Sequence, residues 1–143
     1  MGVGRQIGAI LSLALAAAIL SAFFHPKRPA WRVVESTEEL RWQISLDEAK
    51  QLAAANEVLW IDARSRETFE DSSLPNAILL NTDEWGDLMF EHMDVLQSAM
   101  DRPVVVYCDG TRCAESHEVA TRLRELLGLE PVYVLKGDWR DLE

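Results

Sequence analysis

Val104-Val105-Val106-Tyr107-Cys108-Asp109-Gly110-Thr111-Arg112-Cys113-Ala114-Glu115-Ser116 is the stretch on which the reading of this chain turns. Three valines and a tyrosine in a row make the strongest strand in the sequence. The strand runs directly into Cys108 and a polar, glycine-containing loop. Beyond the loop, Val119, Ala120, Leu123, Leu126 and Leu127 recur on one helical face, and Gly128 stands where a helix C-terminus needs a left-handed residue.

The same alternation extends outward in both directions. Val58-Leu59-Trp60-Ile61, Ala77-Ile78-Leu79-Leu80 and Val132-Tyr133-Val134-Leu135 are short continuous apolar runs, the pattern of strands buried on both faces. Helical patterns separate them. Ser45 and Glu48 have capping-box spacing, with Ile44 placed as a hydrophobic staple, ahead of Leu46, Ala49, Leu52 and Ala53. Asn81 stands three residues before Glu84 as a cap for a helix carrying Trp85, Leu88, Met89, His92 or Met93, Leu96 and Met100 inward. Residues 64–73 read as a charged loop. Strands alternating with helices predict an α/β fold, a parallel sheet covered on both faces.

The 143 residues suit one domain. All 24 acidic residues lie at or after Glu35, while residues 1–34 hold four of the 14 basic ones, leaving ten basics against 24 acids and a net of −14 for the remainder. Such a surface repels phosphate backbones and argues against nucleic-acid binding. Two cysteines cannot make a disulfide scaffold. His25, His92 and His117 are scattered, so no metal centre and no cofactor is expected.

Residues 7–24 form an uncharged run of 18, about 27 Å long as a helix and close to the thickness of a bilayer core. Arg5 precedes it and His25-Pro26-Lys27-Arg28 follows. Residues 1–25 are expected to be an uncleaved membrane anchor or signal-anchor. The rival is a cleaved signal peptide that would leave the domain secreted or periplasmic. Flanking charges leave the side of the membrane open. Pro26 and Pro29 make residues 26–43 a linker, with Trp31 and Trp42 either at the membrane interface or packed on the domain, and residues 44–143 form the domain.

Ligand sites in open parallel sheets form beyond the carboxyl ends of the strands, where Cys108 falls. Loop amides and a helix N-terminus there stabilise an anion, and so favour a thiolate, the reactive form of sulfur. Gly110 is read as permitting a tight turn, and Arg112 adds positive charge that Asp109 and Glu115 oppose.

From Ile44 to Trp139 the chain resembles the rhodanese-like, single-domain sulfurtransferase family. Trp60-Ile61-Asp62-Ala63-Arg64 resembles the family's strand and Asp-x-Arg. Glu67-Thr68-Phe69-Glu70 with Leu74-Pro75-Asn76-Ala77 is similar to its "E-x-F-x…G-H-I-P-G-A" stretch. Val104 to Cys108 resembles the strand bearing the catalytic cysteine, and Val132 to Trp139 the closing "V-x-x-L-x-G-G-W". The resemblance implies a five-stranded parallel sheet flanked by helices and a persulfide on Cys108, with Asp62 and Arg64 supporting the loop. Three departures stand out. Ser72-Ser73 replaces the family's Gly-His. Gly110 and Arg112 come one residue early for Cys-x-x-Gly-x-Arg-Ser. Cys113 occupies the arginine's place, giving Cys-x-Gly-x-x-Cys-x-x-Ser with Ser116.

The leading expectation is therefore a sulfurtransferase or persulfide carrier, taking sulfur from a small sulfane donor and passing it to a thiol or cyanide. Thiol–disulfide chemistry between Cys108 and Cys113 is the alternative, against which Cys113 as a packing residue stands equally. A membrane-tethered, catalytically idle binding module is a third reading. A phosphatase or arsenate reductase needs Cys-x5-Arg, and the residue six after Cys108 is Ala114.

Overall fold

The computed structural model describes residues 2, 6–8, 10, 12–15, 40–110 and 114–142. The chain divides into two units, Met1–Glu35 and Ser36–Glu143. Among the described residues no helix is long and apolar enough to cross a membrane. The anchor expected over residues 7–24 falls mostly outside them. The described residues 6–8, 10 and 12–15 are helical, and Ile7, Ile10, Leu13 and Leu15 are exposed.

The second unit is the α/β domain. In chain order it runs β1 (Gln43–Ser45), α1 (Leu46–Ala55), β2 (Leu59–Asp62), α2 (Arg66–Asp71), β3 (Ile78–Leu79), α3 (Trp85–Glu91), α4 (Met93–Ser98), β4 (Val104–Tyr107), α5 (Ala114–Leu127) and β5 (Val132–Lys136). A 3-10 helix, Trp139–Leu142, follows. The sheet has five strands in the order β1-β5-β4-β2-β3, and every pairing is parallel. β4 is the central strand, with all four residues buried.

Both faces of the sheet are covered, and successive residues of β4 serve opposite faces. Val104 and Val106 pack with Leu88 of α3, Leu96 of α4 and Val119, Ala120 and Leu123 of α5. Val105 and Tyr107 pack with Ala49 of α1, Leu135 and Trp139. A strand buried on both sides has no polar positions to alternate, which is why the apolar runs are continuous.

The capping box is formed. Ser45 N–H donates to Glu48 Oε2 at 2.9 Å, and Glu48 N–H donates to Ser45 Oγ at 3.4 Å. Gly128 follows α5 with φ of +65°, its N–H donating to Arg124 O, and the Leu129 N–H donates to Leu123 O, the paired closure of a left-handed C-cap. Leu74-Pro75-Asn76-Ala77 is a turn closed by Ala77 N–H to Leu74 O at 3.1 Å, and Asn76 supplies the positive φ of 62°.

Several local expectations are corrected. Residues 64–73 are not all loop: α2 forms there on a Ser65 N-cap, and Phe69 packs on the core. Six residues with one anchor are too short to display a period. The helix after Asn81 is two helices, which break at His92 with φ −103° and ψ 13°. Asn81 accepts the Glu84 N–H at 2.8 Å, tying the turn ahead of α3 rather than capping it, since Glu84 is the N-cap. Met100 and Leu126 are exposed, not inward. β1 lies partly in the stretch read as linker; three edge residues carry too little pattern to be seen. Trp42 packs on the domain, 6.2 Å from the Tyr133 ring, beneath the guanidinium groups of Arg41 and Arg124.

Candidate active site

The chain leaves β2 through α2 toward β3, on one side, and leaves β4 through α5 toward β5, on the other. Two neighbouring strands whose connections diverge open a crevice between their carboxyl ends. Asp62 ends β2, Tyr107 ends β4, and the two are register partners. Arg64 and Cys108-Asp109 therefore meet at this crevice, although 44 residues separate Arg64 from Cys108.

Cys108 is buried. Its Sγ lies 3.6 Å from Ser116 Oγ and 3.5 Å from the Gly110 carbonyl oxygen. Ser116 reaches it because Ser116, Val119, Ala120 and Leu123 form one buried stripe of α5, at i, i+3, i+4 and i+7. Cys108 is disulfide-bonded. A disulfide sulfur has no proton, so of the pair only the Ser116 hydroxyl can donate in this state. After reduction the thiol can donate to Gly110 O, and a thiolate can accept from Ser116. The sequence holds one other cysteine, Cys113, which lies outside the described residues with Thr111 and Arg112. Gly110 has no positive φ, and a Cβ built on it meets no described residue within 4 Å, so the backbone there does not require glycine.

Arg64 is the organising cation. Its side chain is 4% exposed and that of Asp62 0%. Arg64 Nε donates to both Asp62 oxygens at 2.9 and 3.0 Å, Nη2 to Asp62 Oδ2 at 2.6 Å and to the Ser72 carbonyl at 2.5 Å, and Nη1 to Asp109 Oδ1 at 3.0 Å. Burial works against the guanidinium charge, but Asp62 and Asp109 outweigh it and hold the Arg64 pKa above its ordinary value. The guanidinium also lies 4.7 Å from the Trp139 ring centroid and 5.9 Å from that of Tyr107. Tyr107 Oη accepts the Leu74 N–H at 3.1 Å. Burial, reinforced by the Asp62 carboxylate, pushes the Tyr107 phenol well above its usual range, so it stays neutral.

The Asp-x-Arg pair is thus tied through Arg64 to Asp109, the residue after Cys108. Trp139 and Arg140 also donate to Asp109 and were not singled out as site residues. The tryptophan of the closing motif was the available signal for the first, and no sequence signal pointed to the second. Beside the loop lies a pocket of about 300 Å³, lined by Arg64 and Asp109 together with Ser65, Thr68, Thr82, Asp83 and Glu115 among others. Among the described residues, no three His, Cys, Asp or Glu side chains are grouped to hold a metal ion.

An open parallel sheet with a cysteine at the carboxyl end of its central strand, next to a buried Asp–Arg pair, is the arrangement that the resemblance implies. The family model of the rhodanese-like domain matches residues 45–143, and the chain belongs to that family. A Helicobacter pylori protein solved by solution NMR is 27% identical, with a TM-score of 0.51 over 72% of this chain and 83% of that one. A rhodanese-related protein from Thermoplasma volcanium is 19% identical, with a TM-score of 0.51 over 70% and 88%. A single-domain sulfurtransferase from Saccharomyces cerevisiae is 18% identical, with a TM-score of 0.50 over 69% and 85%. The last two likenesses concern the fold. No curated protein matches the chain.

Proposed function

We propose that this protein moves sulfane sulfur through a persulfide on Cys108. The Cys108 thiolate attacks the outer sulfur of a donor such as thiosulfate. The S–S bond of the donor breaks, sulfite leaves with the electron pair, and Cys108–S–S⁻ remains. An acceptor, cyanide or a thiolate, then attacks the terminal sulfur, and the Cys108 thiolate departs as the leaving group. No net oxidation occurs and no cofactor is needed. The observation that carries the reading is the placement of Cys108, buried at the carboxyl end of β4 with the Ser116 hydroxyl 3.6 Å from its sulfur, within a rhodanese-like domain. Ser116 is a donor for the negative charge on either thiolate or persulfide. Asp62 and Arg64 act by supporting the loop that begins with Asp109 and Gly110; Thr111 and Arg112, expected in the same loop, lie outside the described residues. The test is intact mass after reduction and incubation with thiosulfate. A gain of one sulfur atom that disappears in Cys108→Ser is expected; a wild-type protein that loads no sulfur refutes the reading and leaves an idle binding module.

The disulfide on Cys108 favours a second reading, thiol–disulfide exchange with Cys113 as the resolving cysteine. Mild oxidation of the reduced protein should then yield one intramolecular disulfide reversible by dithiothreitol, and Cys113→Ser should abolish it. Unbridged thiols after oxidation would reduce Cys113 to packing.

We also infer a membrane tether. Ile7, Ile10, Leu13 and Leu15 are exposed on helical residues, and apolar helical surface of that kind suits a bilayer. Retention of the full chain in membranes through carbonate washing is expected. Release as a soluble protein trimmed near residue 22 would point to a cleaved signal peptide instead.

A further inference from the structure

Asp109 directly follows the reactive cysteine and is about half exposed, yet three side chains donate to the same one of its oxygens. Arg64 Nη1 donates to Oδ1 at 3.0 Å, Trp139 Nε1 at 3.3 Å and Arg140 Nη2 at 3.2 Å. The donors come from the two elements that flank the loop, the end of β2 and the 3-10 helix. Each is itself held. Arg64 is fixed by Asp62 and the Ser72 carbonyl. The Trp139 side chain is buried against Tyr107 at 5.5 Å between ring centroids. Arg140 Nη1 donates to Asp138 Oδ1 at 3.1 Å and its guanidinium lies 4.8 Å from the Trp139 ring. A single exposed ion pair would hold little. Three anchored donors converging on one oxygen, one of them a buried guanidinium, define a place and a direction.

Resting on the sulfur-transfer reading of Cys108, we propose that Asp109 is a positioning residue for that chemistry. Its carboxylate fastens the first residue of the loop to β2 and to the 3-10 helix, and so fixes the path by which the chain leaves Cys108. With that path fixed, the sulfur is held toward Ser116, 3.6 Å away.

All three bonds land on Oδ1, so an asparagine amide oxygen can accept them, while alanine accepts none. The test compares Asp109→Ala and Asp109→Asn in the full chain after reduction. The first readout is the rate at which iodoacetamide alkylates Cys108, followed by peptide mass to separate it from Cys113. The second is kcat and KM for thiosulfate with cyanide. The expected result is that Asp109→Ala lowers kcat roughly tenfold or more with KM within about twofold, and changes the Cys108 alkylation rate about fivefold, while Asp109→Asn recovers most of both. An alanine variant within about twofold of wild type on both readouts, or an asparagine variant no better than alanine, overturns the proposal. If wild type loads no sulfur, the sulfur-transfer reading fails by itself, and the alkylation rates still decide whether Asp109 positions the thiol. Should Asp109→Ala not fold, Trp139→Phe removes one donor and keeps the ring; a smaller change in the Cys108 alkylation rate supports the proposal, and an unchanged rate overturns it.

Discussion

Replacing Arg64 by methionine keeps most of the aliphatic stem and removes the guanidinium. Five side-chain hydrogen bonds disappear, three of them to Asp62. The Asp62 side chain is 0% exposed, so water cannot replace the lost partner. Removing one member of a buried pair costs about 3–5 kcal/mol, because the survivor remains as an uncompensated buried charge. Part of the Arg64 contact is with half-exposed Asp109, which water solvates, so the cost is assigned to Asp62 and the Ser72 carbonyl. A domain of this size has about 5–15 kcal/mol to lose. With a urea slope near ~1.5 kcal/mol/M, the midpoint should fall by roughly 2–3 M at neutral pH. The assay is urea unfolding followed by circular dichroism, for wild type, Arg64→Met, Asp62→Asn and the double variant. The double variant leaves no buried charge unpaired and should recover more than half of the loss. An Arg64→Met midpoint within about 0.5 M of wild type, or a double variant as unstable as the two single costs combined, would refute the reasoning.

Gly137→Ala should cost about 1–3 kcal/mol in thermal melts, since φ is +129° and the new Cβ would lie 2.9 Å from Leu46 Cδ1. Gly110→Ala, with no described residue within 4 Å of the new Cβ, should change stability by less than about 0.5 kcal/mol. Ser45→Ala should cost about 1 kcal/mol at neutral pH through loss of the α1 cap. The Ser45 hydroxyl, then the Ser45 amide, hold the Glu48 carboxyl below its ordinary pKa. Glu48 therefore stabilises the fold above the ordinary carboxylate range and loses that contribution as pH falls through its lowered pKa. The gap between the melts of wild type and Ser45→Ala should narrow in acid, leaving the part owed to the Glu48 N–H bond to Ser45 Oγ. Leu123→Ala removes a fully buried side chain from α5 and should cost about 2–5 kcal/mol in chemical denaturation; a cost below about 1 kcal/mol would mean the core collapses around the gap.

Much of this protein was legible in its sequence, for local reasons. Val104 to Tyr107 forms a strand because four bulky residues buried on both faces satisfy a pleated backbone in any order. Ser45 and Glu48 cap α1 because their reciprocal bonds span only three residues, and Gly128 ends α5 because the left-handed turn is a property of one residue. The place of Cys108 at the carboxyl end of β4 was readable from the strand before it and the helix after it. Ser116, whose place in the sequence reads as the end of the loop, is instead the first member of the buried stripe of α5 that continues through Val119, Ala120 and Leu123.

What the sequence left open depended on partners far along the chain. β1 exists only because β5 offers it an edge, and α2 only because Phe69 finds the core. His92 ends one helix and starts another where packing of Leu88 and Leu96 turns the chain. Above all, by spacing alone Asp62-x-Arg64 looked no different from a charge pair at a strand end, and only the resemblance to the family gave it a role at the loop. Its meaning came from the parallel register of β2 with β4, which sets Arg64 beside Asp109, and from the return of the C-terminus, which brings Trp139 and Arg140 to the same carboxylate oxygen. Hydrogen bonds of this kind have no period and no fixed spacing. They form only after the sheet order has placed their donors, so tertiary structure alone decided how the Cys108 loop is held.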